Sequence, residues 1–264
     1  MSAGETERPP VRFERRGPAA WIVIDREARR NALDGATLEG IARALDLAEA
    51  DPEVRVVVIT GAGEKAFCAG GDLSSLAADG FLAQHEARGS YLALLERLDR
   101  SRLPLVARVN GDALGGGFGL ALACDLIVAA AHTSFGTPEV KLGLFPMMIS
   151  ALILRNLPQK RAQALMLTGG KLTAEEGLRL GFVNEVVPAV ELDAAVTGLV
   201  ATLAGKSPAV LRLGRAALAA TRDMSYPEAL RSLHAQLTLN ANLDDAAEGV
   251  SAFLGKREPE WKGR

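Results

Sequence analysis

Two stretches of the chain place glycine where backbone groups could do chemistry. The first, GDALGGGFGLALACD (Gly111 to Asp125), carries four glycines within the five residues Gly115 to Gly119, at the start of an Ala/Leu run. The second, ITGAGEKAFCAGGDL, also follows an apolar run and reaches the pair Gly70 and Gly71. Glycine costs a helix interior about 1 kcal/mol relative to alanine, so this placement needs a reason. A turn without Cβ atoms lets peptide N–H groups approach a ligand atom closely. Where a helix begins, its first N–H groups have no intrahelical partner and the dipole adds positive potential. Two such loops can each give one N–H to a single oxygen, binding an anion or stabilising an oxyanion formed during reaction. The same residues also fit tight connections in which glycine serves packing alone, and spacing does not separate the two descriptions.

Other motifs fail on their spacing. A dinucleotide GxGxxG frame started at Gly115 requires glycine at Leu120, and one started at Gly117 requires it at Leu122. The GKS at Gly205–Ser207 would need glycine at Val200 to form a P-loop. There is no HExxH and no GxSxG, and the three histidines, His85, His132 and His234, are scattered. Metal and Ser-His-Asp chemistry therefore have little support.

The elements that must position the glycines read clearly. VRFERR and AAWIVIDR form two short strands around a Gly17-Pro18 turn. A helix follows over DGATLEGIARALDLAEADPE, with Leu38, Ile41, Leu45 and Ala48 at helical spacing and Asp51-Pro52 as its stop. Val54–Gly61 reads as a buried strand, GAGEKAFCAGGDLSSL as a loop, and 81–99 as an amphipathic helix. LPLVARVNG and DLIVAA are further strands. The recurring strand, glycine-rich loop, helix and strand predict α/β architecture with parallel strands. From about residue 189 the pattern is helical, with a boundary near Gly205.

Composition excludes several classes. Thirty Lys and Arg against 32 Asp and Glu give a net charge of −2, with no basic stripe for nucleic acid. Cys68 and Cys124 are too few for a disulfide framework, so the chain reads as intracellular, reduced and cytoplasmic. The polar MSAGETERPP is not a signal peptide, and no run of 18 apolar residues predicts a membrane span.

Several segments together carry a resemblance to a known family. KAFCAGGDL, NGDALGGGFGLALACDLIVAA, FGTPEVKLGLFP and LTGGKLTAEEGLRLGFVNEVVP occur in that order, with IDREARRNAL before them and SAFLGKREPEW after. They resemble the enoyl-CoA hydratase/isomerase (crotonase) superfamily over nearly the whole chain. The resemblance implies an α/β fold, a crotonase-like spiral of repeated ββα units with a helical C-terminal region. It divides the chain into a loose N-terminus (1–10), a spiral core (11–205) and a helical trimerisation region (206–264). The implied partners are an acyl-CoA substrate and further copies of the chain, as a homotrimer or a dimer of trimers. No separate cofactor is implied, because coenzyme A is part of the substrate, and neither nucleic acid nor membrane is expected.

The resemblance also assigns residues. The two N–H donors to a thioester oxygen are those of Gly71 and Gly116. Family hydratases carry two glutamates; one is present as Glu139, in FGTPEVKLG, and the other position is Gly119. Hydration moves protons and water at two carbons, which two carboxylates do well, each typically contributing about 10²–10⁴-fold. A double-bond shift needs only one, so the missing glutamate moves the expectation towards isomerisation. Dienoyl-type isomerases add an acid at the position of Met147, which argues against that subtype. Met147 and Met148, with Phe118 and Phe145 nearby in sequence, fit an apolar acyl wall that would raise the pKa of Glu139 by desolvation; the two methionines equally fit plain core. Arg30 and Ala69 match backbone near the adenine end of CoA. Phe253 and Lys256 match positions that contact the nucleotide from a neighbouring subunit; Lys256 also fits a helix C-terminal cation. Asp72 and Asp125 read as loop or cap residues, and the cysteines as buried packers. The expected function is an enolate-forming acyl-CoA enzyme with Glu139 as its acid/base. The alternatives are hydration with one glutamate, decarboxylation, thioester hydrolysis, or acyl-CoA binding without catalysis.

Overall fold

A computed structural model describes residues 9–72 and 80–264. Two strands open it, β1 (Val11–Arg16) and β2 (Ala19–Ile24), antiparallel across the Gly17-Pro18 turn. Helix α1 (Gly35–Ala50) follows, its first turn capped by the Asp34 carboxylate accepting from the Thr37 N–H. Leu38, Ile41, Leu45 and Ala48 all face the core, as their spacing requires.

Three strand pairs then build two sheets at once. β3 (Val56–Gly61), β5 (Leu105–Val109) and β7 (Leu126–Ala130) join the first sheet, ordered β1-β2-β3-β5-β7-β10, with β10 at Glu185–Val187. Their partners β4 (Ala66–Cys68), β6 (Asp112–Leu114) and β8 (Ser134–Gly136) join the second, ordered β4-β6-β8-β9, with β9 at Lys171–Thr173. Each pair is followed by helix: α2 (Phe81–Asp99), α3 (Gly116–Leu122), then a 3₁₀ turn (Pro138–Leu142) and α4 (Met147–Asn156). This is the expected repeated ββα spiral. Neighbouring strands run parallel except β1–β2 and β8–β9. The stretch over 61–76 that reads as loop in the sequence contains β4, and its end lies outside the described residues.

The first sheet is covered on both faces, so β2 and β3 are buried at every residue and read as continuous apolar runs. Ile22, Ile24, Val57 and Ile59 pack towards α1 and the second sheet. Trp21, Val23, Val56 and Val58 pack under α7 (Leu192–Ala204) through Leu192, Val196 and Val200. Helix α5 (Gln159–Thr168) packs on α4 and the 3₁₀ turn, α6 (Ala174–Leu180) packs on β8, β9 and β10, and the last helices are α8 (Pro208–Thr221), α9 (Tyr226–Ala241) and α10 (Asp244–Leu254). Gly205 falls between α7 and α8. No described helix is by itself long and apolar enough to cross a membrane.

Candidate active site

The second sheet positions the site. β4, β6 and β8 are parallel neighbours, so their C-terminal ends lie side by side, and each runs into a segment singled out above. β4 leads to Ala69–Gly71, β6 to Gly115–Gly117, and β8 to Thr137–Glu139.

The first loop is tied down by backbone. Ala69 N–H donates to the Arg30 carbonyl at 3.0 Å, Leu33 N–H to Gly70 at 2.8 Å, and Asp72 N–H to Leu33 at 2.8 Å. This bridge uses the groups flanking Gly71 and leaves the Gly71 N–H outside it. Arg26 adds ion pairs to Asp72 at 2.9 Å and Asp34 at 2.8 Å. Asp72 is thus a structural anchor for the loop.

The second loop approaches the first closely. Gly115 has φ +52 and donates its N–H to the Gly136 carbonyl at 2.8 Å. Gly117 lies so near β4 that a Cβ there would sit 2.1 Å from the Cys68 carbonyl oxygen. A Cβ on Gly70 would lie 3.2 Å from the Gly116 nitrogen, and one on Gly116 3.6 Å from the Gly71 nitrogen. Gly116 is the first residue of α3, where the N–H has no carbonyl four residues back. The two glycine nitrogens therefore border one small space, and a single oxygen placed there could accept from both.

Glu139 completes the group. It stands in the first turn of the 3₁₀ segment, and its Oε1 lies 2.9 Å from where a Cβ on Gly115 would be. Among the described residues its Oε2 is buried with no hydrogen-bond partner. Burial pushes the Glu139 carboxyl above its ordinary pKa, partly offset by its own backbone N–H. A carboxylate with an unpartnered oxygen and a raised pKa suits taking up a proton and returning it.

The Gly119 position is closed. A Cβ there would sit 2.4 Å from Ile149 Cγ2 and 2.4 Å from Tyr91 Oη. Tyr91, on α2, donates its hydroxyl to the Gly116 carbonyl at 2.6 Å. Burial first, then the Cys68 and Glu139 charges, hold this phenol well above its ordinary pKa, so it stays protonated. Sequence reading missed both Tyr91 and Ile149. Tyr91 precedes Gly116 by 25 residues, and no local pattern marks the contact.

Other expected residues are placed as follows. Arg30, in the left-handed region at φ +51, and Ala69 are brought together by their backbone bond. Phe118 is corrected: it is fully buried, with its ring 5.4 Å from Phe135 and 5.5 Å from Phe182. Its side chain points from α3 into the core, so it presents no wall to a substrate. Met147 is 71% exposed, Met148 and Phe145 are also exposed, and it is Ile149 of α4 that faces Gly119. The methionines are thus not core. Phe253 and Lys256 are exposed at the end of α10, which packs on α8 and α9. Asp125 accepts from Leu105 N–H at 2.7 Å and Arg215 at 2.6 Å, joining the core to α8. Cys68 and Cys124 are buried, and burial pushes the Cys68 thiol up to about 12. Among the described residues no three His, Cys, Asp or Glu side chains gather to hold a metal.

Known proteins match this chain over nearly its full length. The family model for enoyl-CoA hydratase/isomerase matches residues 14–264. A carnitinyl-CoA dehydratase of Salmonella arizonae is 40% identical over 261 residues, covering 96% of this chain and 98% of that protein. The crystal structure of an enoyl-CoA hydratase from Bacillus anthracis superposes with a TM-score of 0.92 at 31% identity, covering 97% of this chain and 100% of that one. An enoyl-CoA hydratase from Mycobacterium smegmatis gives 0.92 at 30% identity, with 96% and 99% covered. Match length, identity and the ββα spiral agree: the chain belongs to the enoyl-CoA hydratase/isomerase family, in the crotonase superfamily.

Proposed function

We propose that this enzyme acts on an acyl-CoA thioester through an oxyanion-stabilised enolate, with Glu139 as its single acid/base, and that its chemistry is double-bond isomerisation. The N–H groups of Gly71 and Gly116 receive the thioester oxygen. The Glu139 carboxylate removes a C2 proton from a 3-enoyl thioester, and the negative charge moves onto the thioester oxygen between the two donors. The resulting carboxylic acid returns the proton at C4, leaving the 2-enoyl thioester. One carboxylate serves both transfers, so none is required at 119.

The observation that carries this reading is the contrast between a Glu139 Oε2 that has no hydrogen-bond partner among the described residues and a position 119 filled by Ile149 and Tyr91. The raised pKa of Glu139, caused by burial, supports a group that both takes up and returns a proton. Dehydration or hydration is the second reading, favoured by the 40% identity to a protein named carnitinyl-CoA dehydratase. The exposed Tyr226, Leu230, Leu237, Val250 and Phe253 on α9 and α10 support assembly with further copies, as a homotrimer or a dimer of trimers.

Supplying a 3-enoyl-CoA and a 2-enoyl-CoA separately, with products identified by mass and ultraviolet absorbance, tests the reading. Conversion of the 3-enoyl to the 2-enoyl thioester without gain of water is expected. Faster formation of a hydroxyacyl thioester from the 2-enoyl substrate would overturn isomerisation in favour of hydration. Binding without turnover of either would overturn catalysis.

A further inference from the structure

Tyr91 has no role in the chemistry described so far, yet it sits at the centre of the site. Its hydroxyl ends 2.4 Å from where a side chain at 119 would begin, and its ring carbon Cζ lies 3.6 Å from where a Cβ on Gly116 would be. The side chain is buried, and its hydrogen bond reaches back to Gly116 from a different helix. We propose that Tyr91 is a positioning residue for the oxyanion hole: its hydroxyl clamps the Gly116 carbonyl and takes the space a side chain at 119 would need.

The inference deepens the acyl-CoA reading and rests on it. The Gly116 N–H belongs to the Gly115–Gly116 peptide, whose carbonyl accepts from Gly119 N–H at 3.1 Å. The Tyr91 bond holds the next peptide, Gly116–Gly117, so the two bonds together restrain the backbone at Gly116, which has no side chain to limit it. Oxyanion donors are effective only when held at the position the developing charge will occupy. A neutral phenol clamp supplies that restraint without adding charge next to Glu139. Tyr91 and Gly119 then form one unit. The glycine admits the phenol, and the phenol excludes a carboxylate grown from position 119. Ile149 closes the same space from α4.

The test uses the full-length protein and cinnamoyl-CoA, a thioester whose absorption band moves to longer wavelength as its carbonyl is polarised. Wild type is expected to bind it with a red shift. Tyr91→Phe should bind it within about threefold of wild type yet show a smaller shift. Its kcat on a 3-enoyl-CoA should fall about tenfold, with KM nearly unchanged, as for an interaction realised in the transition state. An unchanged red shift and unchanged kcat in Tyr91→Phe would overturn the clamp while leaving the acyl-CoA reading intact. No shift and no enoyl-CoA turnover in wild type would instead overturn that reading, and the clamp with it. Should Tyr91→Phe fail to fold, the native sequence still decides. Tyrosine occurs twice, at buried Tyr91 and at Tyr226, which is 76% exposed. In fluorotyrosine-labelled protein, cinnamoyl-CoA should move the Tyr91 fluorine resonance and leave that of Tyr226 in place. A Tyr91 resonance that does not respond to saturating cinnamoyl-CoA would contradict the clamp.

Discussion

Glu139 lies against Gly115, at the start of the glycine loop, and Gly119 lies four residues further on in α3, and the surroundings of the two differ in kind. Around Glu139 the described residues leave a buried carboxylate oxygen without a partner, and burial raises the cost of its charge. Around Gly119 it leaves nothing: a methyl group would already meet a buried phenol and a buried isoleucine. The first environment keeps a proton acceptor available, while the second is packed as tightly as core. Absence of a carboxylate at 119 is therefore built into α2 and α4, since two other helices have closed over the position. Replacing that glycine by glutamate would not by itself restore a second acid.

Several substitutions break or sharpen this contrast. The largest expected effect is at Gly117, where the obstacle is the Cys68 backbone carbonyl, which cannot rotate away. Gly117→Ala should cost about 3 kcal/mol or more in chemical denaturation and separate the two loops, abolishing turnover. Gly119→Ala meets side chains, which can shift, so the expected cost is about 1–3 kcal/mol. A Gly119→Ala protein as stable as wild type would show that the space around 119 is open after all.

Glu139 should behave in the opposite sense, because its native pKa lies above its unfolded value. A group raised in this way lends full stability below its unfolded pKa and loses it as pH rises through the native pKa. Glu139→Gln should therefore melt above wild type at neutral pH, with the gap closing as pH falls below the ordinary carboxylate range. The same shift should move the acid limb of a kcat/KM profile above pH 4.5, the ordinary value, because the base form is needed to start the reaction. The smallest effect is expected at Gly71, where a Cβ would meet nothing within 4 Å. Gly71→Ala keeps its N–H and should change stability by less than about 0.5 kcal/mol.

Much of this was legible in the sequence, for physical reasons. Leu38, Ile41, Leu45 and Ala48 mark α1 because a helix long enough to show its period announces its buried face. The run Val56–Gly61 marks β3 because a strand buried on both faces needs apolar residues throughout. The second sheet was not legible: β4, β6, β8 and β9 have three residues each, too few to display alternation. The two glycine loops stand out from residue type alone, because closely approaching backbone donors need glycine, whereas Glu139 stands out only through the family resemblance, since one carboxylate in a charged chain carries no signature of its own. Tyr91 could not be found, because one tyrosine on an amphipathic helix says nothing about the carbonyl it will meet. Phe118 was misread as a substrate wall because nearness to the glycines in sequence does not fix direction, and its side chain turns inward to Phe135 and Phe182.

That a single carboxylate runs the chemistry is tested most directly by following 3-enoyl-CoA to 2-enoyl-CoA conversion in wild type and Glu139→Gln, with binding of cinnamoyl-CoA measured on the same preparations. The expected result is a fall in kcat of about 10²–10⁴-fold in Glu139→Gln, with the thioester still bound and its band still shifted by the intact Gly71 and Gly116 donors. Turnover in Glu139→Gln within about threefold of wild type would contradict a single-carboxylate site and place the acid/base elsewhere.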